Sequence, residues 1–309
     1  MTQQNPKNNL YSVKTQVVQN PKKRKDLAFK YSNLGSPKSS PNNQNKEKFC
    51  KYYMNEVYKA FYTEDQDYFS NLFRYHLNQS IQAYATFRFC SMVHIDEINK
   101  RLVNLPDFEQ GKRQTLIFDL DETLIHCTEA QKTKGEVNLP ITFANGDQIT
   151  VGINIRPYAK YALEELSKYY QIIVFTASHS AYANKVIDNL DPQKQYIKHR
   201  LFREDCVYLP HGVYTKDLRI FNNRKLSELI LVDNSPHTYV FHKSNGVPII
   251  PFYDNYDDNQ LLYLVNYLKT LARIGNSREN IISDFKHDKI LQNVDSFDRF
   301  KKEVLGIID

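Results

Sequence analysis

Tryptophan is absent from this 309-residue chain, although tyrosine occurs 22 times and phenylalanine 18; that imbalance excludes no function by itself. No apolar run is long enough to span a bilayer, and the polar N-terminal stretch has no secretory pattern. Neither a transmembrane segment nor a secreted protein is therefore expected. The four cysteines, Cys50, Cys90, Cys127 and Cys206, are widely scattered and form no C-x-x-C pair. They read as reduced thiols of an intracellular protein, not as a disulfide frame or a zinc site.

Net positive charge is missing from the body of the chain. Residues 1–50 hold ten of the 41 Lys/Arg and two of the 35 Asp/Glu, while the rest holds 31 and 33, a balance of −2 beneath the overall +6. A nucleic-acid-binding domain carries its basic face on the folded part, so no direct nucleic-acid partner is expected. What is present, 41% hydrophobic and 25% charged residues, is ordinary for a globular protein. The length suits one large domain or two ordinary ones.

Residues 1–48 are rich in Gln, Asn, Lys, Ser and Pro and poor in large apolar residues. They bury too little surface to offset the entropy of ordering and are expected to form a disordered basic tail. Within it, Pro21-Lys22-Lys23-Arg24-Lys25 resembles a monopartite nuclear import signal, so nuclear residence is the expectation; a solvated charge run is the plainer alternative. Ser36-Pro37 and Ser40-Pro41 have the form of proline-directed phosphorylation sites, where phosphate would lower the tail's charge. From 49 to 108 the texture turns Tyr-, Phe- and Leu-rich, with neither Gly nor Pro before Pro106. Tyr53, Val57, Ala60 and Phe61, then Phe69, Leu72, Phe73, Tyr75 and Leu77, fall at helical spacing. Two or three helices are expected, with a structural or partner-binding role.

The stretch Thr115–Cys127, TLIFDLDETLIHC, organises the rest. Thr115-Leu116-Ile117-Phe118 reads as a strand buried on both faces, and it stops abruptly at Asp119, with Asp121 and Glu122 close behind. A buried parallel strand delivers its next residues to the carboxyl edge of a sheet, where α/β proteins place their chemistry. Two carboxylates there repel each other unless a cation or a shared proton holds them. A simple turn is the competing reading of D-x-D.

Further along, Pro140–Phe143 and Ile149–Val151 flank Asn145-Gly146, a strong hairpin signal. Arg156-Pro157 opens a helix through about Ser167. Ile172–Phe175 is a second buried strand ending at Thr176-Ala177-Ser178, with a helix after it from about Ser180 to Leu190. Short strands are expected around Leu201-Phe202 and 206–209, and Lys216 opens a short turn. Leu229–Val232 is a third buried strand ending at Asp233-Asn234-Ser235-Pro236, Val247–Pro251 is a further strand, and 260–273 an amphipathic helix. Strands alternating with helices imply right-handed βαβ units and a parallel sheet over 109–275. Residues 276–309 read as a C-terminal extension of polar loop and a weak last helix.

Three strand ends thus offer groups suited to one phosphate and one metal. Phosphoryl transfer needs an in-line nucleophile, neutralised oxygens and a proton for the leaving group. Asp119 suits the nucleophile and Asp121 the general acid and base. Asp233 or Asn234 would complete an oxygen set for Mg²⁺. Thr176 can donate a hydroxyl to phosphate, Lys216 can supply positive charge, and Thr123 can orient the loop. Singly, Thr176 reads as a strand-end cap, Lys216 as a surface lysine and Asp233–Pro236 as a helix start.

DLDETL, the strand-terminal FTAS, the YTKDL lysine and LVDNSP together resemble the four motifs of the haloacid dehalogenase superfamily. More narrowly, with RLFREDC at 200–206 and VDNSPHTYVFH…VPIIPFYDN, they resemble the small phosphatases of the RNA polymerase II C-terminal domain and their NLI-interacting-factor-like relatives, over roughly 112–273. The resemblance implies a Rossmann-like haloacid dehalogenase fold: an α/β architecture with a central parallel sheet, a small β-hairpin insertion and no large cap domain, preceded by a helical segment. It implies Mg²⁺ as cofactor and an aspartyl-phosphate on Asp119, with Asp121 as acid/base. Thr123, Thr176 and Lys216 would attend the phosphate. Asp119, Asp121 (through its carbonyl), Asp233 and Asn234 would form the metal motif, and Tyr182 and Arg203 would contact the phosphopeptide.

Between Thr123 and Thr176, and between Thr176 and Lys216, no interval is long enough for a separate cap domain. An open site suits a phosphate presented on a polypeptide better than an enclosed metabolite. The expected substrate is a phosphoserine or phosphothreonine protein, the polymerase tail among the candidates. A tethering protein that has lost turnover on the same fold, and a phosphatase for small molecules or nucleic-acid ends, remain the alternatives.

Overall fold

The computed structural model describes residues 68–88, 90, 92–128, 135–209, 212–274 and 277–292. The basic tail, its import-like cluster, the Ser-Pro sites and the helical positions 53–61 lie outside the described residues. Helix α1 (Tyr68–Phe87) and the short α2 (Ile95–Asn99) come before strand β1 (Thr115–Phe118). Next come β2 (Ile125–Thr128), β3 (Val137–Thr142), β4 (Gln148–Ile155), α3 (Ala159–Ser167), β5 (Gln171–Phe175), α4 (Ser180–Leu190) and β6 (Ile197–Leu201). The hairpin β7 (Val207–Leu209) and β8 (Val213–Thr215) leads to β9 (Leu229–Asp233), β10 (Gly246–Pro248), α5 (Gln260–Ile274), α6 (Ser277–Phe285) and α7 (His287–Gln292).

The central sheet has five strands in the order β10-β9-β1-β5-β6, all parallel. β1 sits in the middle, with Thr115 opposite both Gln171 and Leu229, and Phe118 opposite both Val174 and Val232. Strands β1, β5 and β9 are buried from end to end, which is why they carry unbroken apolar runs instead of an alternating pattern. Successive side chains point to opposite faces. Leu116, Phe118, Ile172, Val174, Ile230 and Val232 therefore enter one core, while Ile117, Ile173, Phe175, Leu229 and Leu231 enter the other. The equal register matters for function, because it makes β1, β5 and β9 end side by side and brings the loops that leave them to one edge.

Three expectations need correction. The insertion is a three-stranded antiparallel sheet in the order β2-β4-β3, not a bare hairpin. Four residues directly after the DLDETL turn, Ile125–Thr128, supply the third strand by pairing with β4. The Asn145-Gly146 turn itself stands as expected, with Gly146 at φ +89°, a region glycine enters without penalty. The C-terminal extension is not a polar loop as far as it is described: α6 and α7 bury Ile281, Phe285 and Ile290 in the main core. Their apolar residues are too sparse for a periodic signal, and packing alone makes them part of the domain. Pro157 precedes α3 instead of lying in its first turn, because Tyr158 takes a left-handed conformation (φ +66°) ahead of Ala159.

Candidate active site

The chain leaves β1 at Phe118, and the Asp119 amide still donates to Val232 O of β9 at 2.9 Å, so the nucleophile candidate is fixed by the sheet ladder itself. A tight turn comes next, in which the amides of Thr123, Leu124 and Ile125 converge on Leu120 O and Glu122 adopts φ +58°. Arg156 holds that turn from behind. Its Nη1 donates to Thr123 O at 3.2 Å, while Nε and Nη2 grip Asp258 at 3.2 and 2.9 Å in the buried interior. A fork of fixed donors suits this double task, which lysine would not perform.

Lys216, 1% exposed, stands between two carboxylates: its Nζ is 2.7 Å from Asp119 Oδ1 and 2.7 Å from Asp233 Oδ2. The Lys216 amide donates to Thr238 O at 2.8 Å, which docks the end of the β7–β8 hairpin on the loop after β9. Burial alone would lower the lysine's pKa, but Asp119 and Asp233 outweigh it and hold the ammonium charged well above the ordinary lysine range. Asp119 moves the other way for a carboxylate. Burial, then the negative charge of Asp233, pushes it up to about 8 against the pull of Lys216.

Asp121 faces the opposite wall. It accepts the Tyr182 hydroxyl on Oδ1 at 2.7 Å and the Ser178 hydroxyl on Oδ2 at 2.6 Å, with Thr176 Oγ1 at 3.5 Å from Oδ2. Thr176 Oγ1 in turn accepts the Ser178 amide at 3.0 Å. The third wall is the loop after β9, where Thr123 Oγ1 donates to Asn234 Oδ1 at 3.3 Å and the Ser235 amide donates to Asp233 Oδ1 at 2.8 Å. Asp233 is thus engaged on both oxygens, by Lys216 and by its own loop.

The structure therefore brings Asp119, Asp121, Thr123, Thr176, Lys216, Asp233 and Asn234 to one edge of the sheet. Tyr182 arrives on α4, bonded to Asp121. Arg203 sits beside them: Nε donates to Ala177 O at 2.6 Å, and its guanidinium lies 5.5 Å from the centre of the Tyr214 ring. Two contributors were not assigned from the sequence. Ser178 was visible only as the last letter of FTAS, and Arg156 only as the residue before a helix-opening proline.

Chemically, Asp119 and Asp233 share one lysine while Asp121 stands across the site from it, and burial, then the charge of Asp233, keeps Asp119 elevated. Asp119, the Asp121 carbonyl and Asn234 are oxygen donors, the chemistry that Mg²⁺ prefers, and a divalent cation would offset the carboxylates' charge. The residues present fit the ion.

Residues 114–278, over half of the chain, match the model of the NLI interacting factor-like phosphatases. The chain belongs to that family. Among curated relatives, it is 37% identical over 190 residues to CTD small phosphatase-like protein 3 of Caenorhabditis elegans, covering 60% of this chain and 64% of that one. It is 36% identical over 185 residues to CTD small phosphatase-like protein 2 of Dictyostelium discoideum, covering 60% of this chain and 32% of that one. To the human CTD small phosphatase-like protein it is 36% identical over 165 residues, 53% of this chain and 58% of the relative. The chain thus spans less than two thirds of the length of each, and α1 and α7 lie outside the family match. Every strand end described above lies inside it.

Proposed function

We propose that this protein is a Mg²⁺-dependent protein serine/threonine phosphatase working through an aspartyl-phosphate on Asp119. The observation that carries the reading is the division of labour between two aspartates two residues apart. Asp119 is paired with a buried lysine, and Asp121 is turned away and held by two hydroxyls. An equivalent pair with equivalent partners would suggest metal binding alone.

In this scheme the Asp119 carboxylate attacks phosphorus in line, the P–O bond to the seryl or threonyl oxygen breaks, and Asp121 protonates that oxygen as it leaves. Asp121 then takes a proton from water, whose oxygen attacks the phosphorus of the acyl phosphate, releasing inorganic phosphate and restoring Asp119. Lys216 and the Thr176 hydroxyl would meet the charge on the equatorial oxygens, and Thr123 holds Asn234 in place. Mg²⁺ held by Asp119, the Asp121 carbonyl and Asn234 would neutralise charge on the phosphoryl group. Asp233 serves here to hold Lys216 and its loop.

The substrate class is argued from access. Among the described residues no cap domain stands over the site; the interval from Thr123 to Thr176 folds as β2–β4 and α3 beside the sheet. In this reading Tyr182 and Arg203 would meet residues flanking a phosphorylated side chain. The relatives' names refer to CTD phosphatases, and the phosphorylated polymerase tail is one candidate substrate; the nucleus is the corresponding location. The test is hydrolysis of p-nitrophenyl phosphate and of a phosphoserine/phosphothreonine peptide panel by the full chain. Turnover should require Mg²⁺ and vanish in Asp119→Asn. Undiminished turnover by that variant refutes the assigned nucleophile, and Mg²⁺ binding without any turnover favours a tethering role.

A further inference from the structure

The segments on either side of the family match meet at the loop that carries Asn234. Helix α1 ends before residue 114 and α7 begins after residue 278. α1 packs on the turns Pro236–Thr238 and Val240–His242, and also on α7. Its buried stripe runs Phe73, His76, Leu77, Ser80, Ala83, Tyr84 and Phe87, the three-and-four spacing of one helix face.

Polar residues on that stripe make specific contacts. The Tyr84 hydroxyl is 2.8 Å from His287 Nδ1, and His287 Nε2 is 2.9 Å from Gly246 O. A carbonyl only accepts, so Nε2 carries the proton and Nδ1 accepts from Tyr84. That relay ties α1, through α7, to the start of β10. Two other residues reach the metal-motif loop instead. His76 is buried on the helix that packs on Pro236–Thr238, the turn just past Asn234. The Phe87 ring meets His237 edge-on at 6.2 Å between centroids and Phe241 at 5.9 Å. A neutral asparagine oxygen can only ligate a cation where its backbone puts it, and the 3.3 Å bond from Thr123 is a long tether.

We propose that α1 is a positioning element for this loop. His76 and Phe87, packed with α1 against the turn Pro236–Thr238 that follows Asn234, set where Asn234 stands and thereby the affinity of the site for a divalent cation. The inference rests on the reading of Asn234 as a metal ligand. It gives the helical segment before the family domain a task at the active site.

The experiment titrates Mn²⁺, as a spectroscopically visible probe, into the full chain without substrate. Binding is followed by electron paramagnetic resonance, with urea denaturation midpoints measured in parallel. His76→Leu and Phe87→Leu keep apolar bulk at their positions and should each weaken Mn²⁺ binding about tenfold, the lower end for groups that orient a metal ligand. Tyr84→Phe breaks only the relay to β10; it should lower the midpoint while leaving Mn²⁺ affinity unchanged. Wild-type affinity in all three variants, with lowered midpoints, makes α1 a structural prop and overturns the proposal alone. Failure of the wild-type protein to bind Mn²⁺ overturns the metal reading and this inference together.

Discussion

At the scale of single residues, the site depends on which charges are countered and by what. Lys216 is the sole described cation within bonding distance of Asp119 or Asp233. Lys216→Met should reduce turnover of p-nitrophenyl phosphate by a hundredfold or more, roughly the cost of losing one preorganised electrostatic contact. It also leaves two buried carboxylates facing each other, so the metal-free variant should lose about 3–5 kcal/mol by urea denaturation; Mg²⁺ should restore part of this. The hydroxyls on Asp121 make a different prediction. Tyr182→Phe and Ser178→Ala each remove one of its two close donors and should lower kcat about tenfold, part of the 10²–10⁴ that acid–base catalysis contributes. KM for the small aryl substrate should hardly move. A rise in KM with kcat intact would mean that these hydroxyls bind substrate instead of aiming Asp121. Ser178 is the instructive omission. It stands two residues from Thr176, the candidate phosphate ligand, yet its partner Asp121 is 57 positions away, and no local pattern links them.

Among secondary-structure elements, α4 was legible to the residue, since Ala183, Val186, Ile187 and Leu190 fall on one face with no competing signal. The buried strands were legible from their apolar runs, β1 to the residue and β5 and β9 to within one polar residue, Gln171 and Asp233. β2 was not: Ile-His-Cys-Thr has a half-exposed pattern and becomes a strand because β4 offers it a ladder. β10 is held by close approach. A Cβ at Gly246 would lie 2.3 Å from the ring of Tyr239, which is buried in the core. Gly246→Ala should therefore destabilise the protein by about 1–3 kcal/mol, the usual cost of overpacking, seen as a lower urea midpoint. An unchanged midpoint would show that Tyr239 can swing aside.

Across the whole molecule, two buried histidines couple stability to pH. Burial lowers both His76 and His287 to about 4, against about 6.5 in an unfolded chain. Between those values the unfolded state binds the extra protons. Each histidine's contribution is therefore complete above about pH 6.5 and is lost as pH falls toward 4, at about 1.4 kcal/mol per pH unit. Asp119 acts with the opposite sign in metal-free protein: it keeps its proton up to about 8, so its contribution weakens as pH rises from 4 toward 8. The difference between wild type and His287→Gln cancels the Asp119 effect. Urea denaturation at pH 7, 6 and 5 should show that difference shrinking with acidification. A pH-independent difference would mean that His287 titrates in the fold as it does in the unfolded chain.

The amino-acid sequence alone determined the alternation of strands and helices and which residues stand at the strand ends, because apolar runs and their abrupt polar stops are local properties. Tertiary structure decided the partners. Lys216 serves Asp119 and Asp233, 97 and 17 positions away, because a buried ammonium takes whichever carboxylates the sheet register presents to it. Likewise, sparse helices beyond the family match close over the domain because burial against a core, not periodicity, stabilises short helical segments.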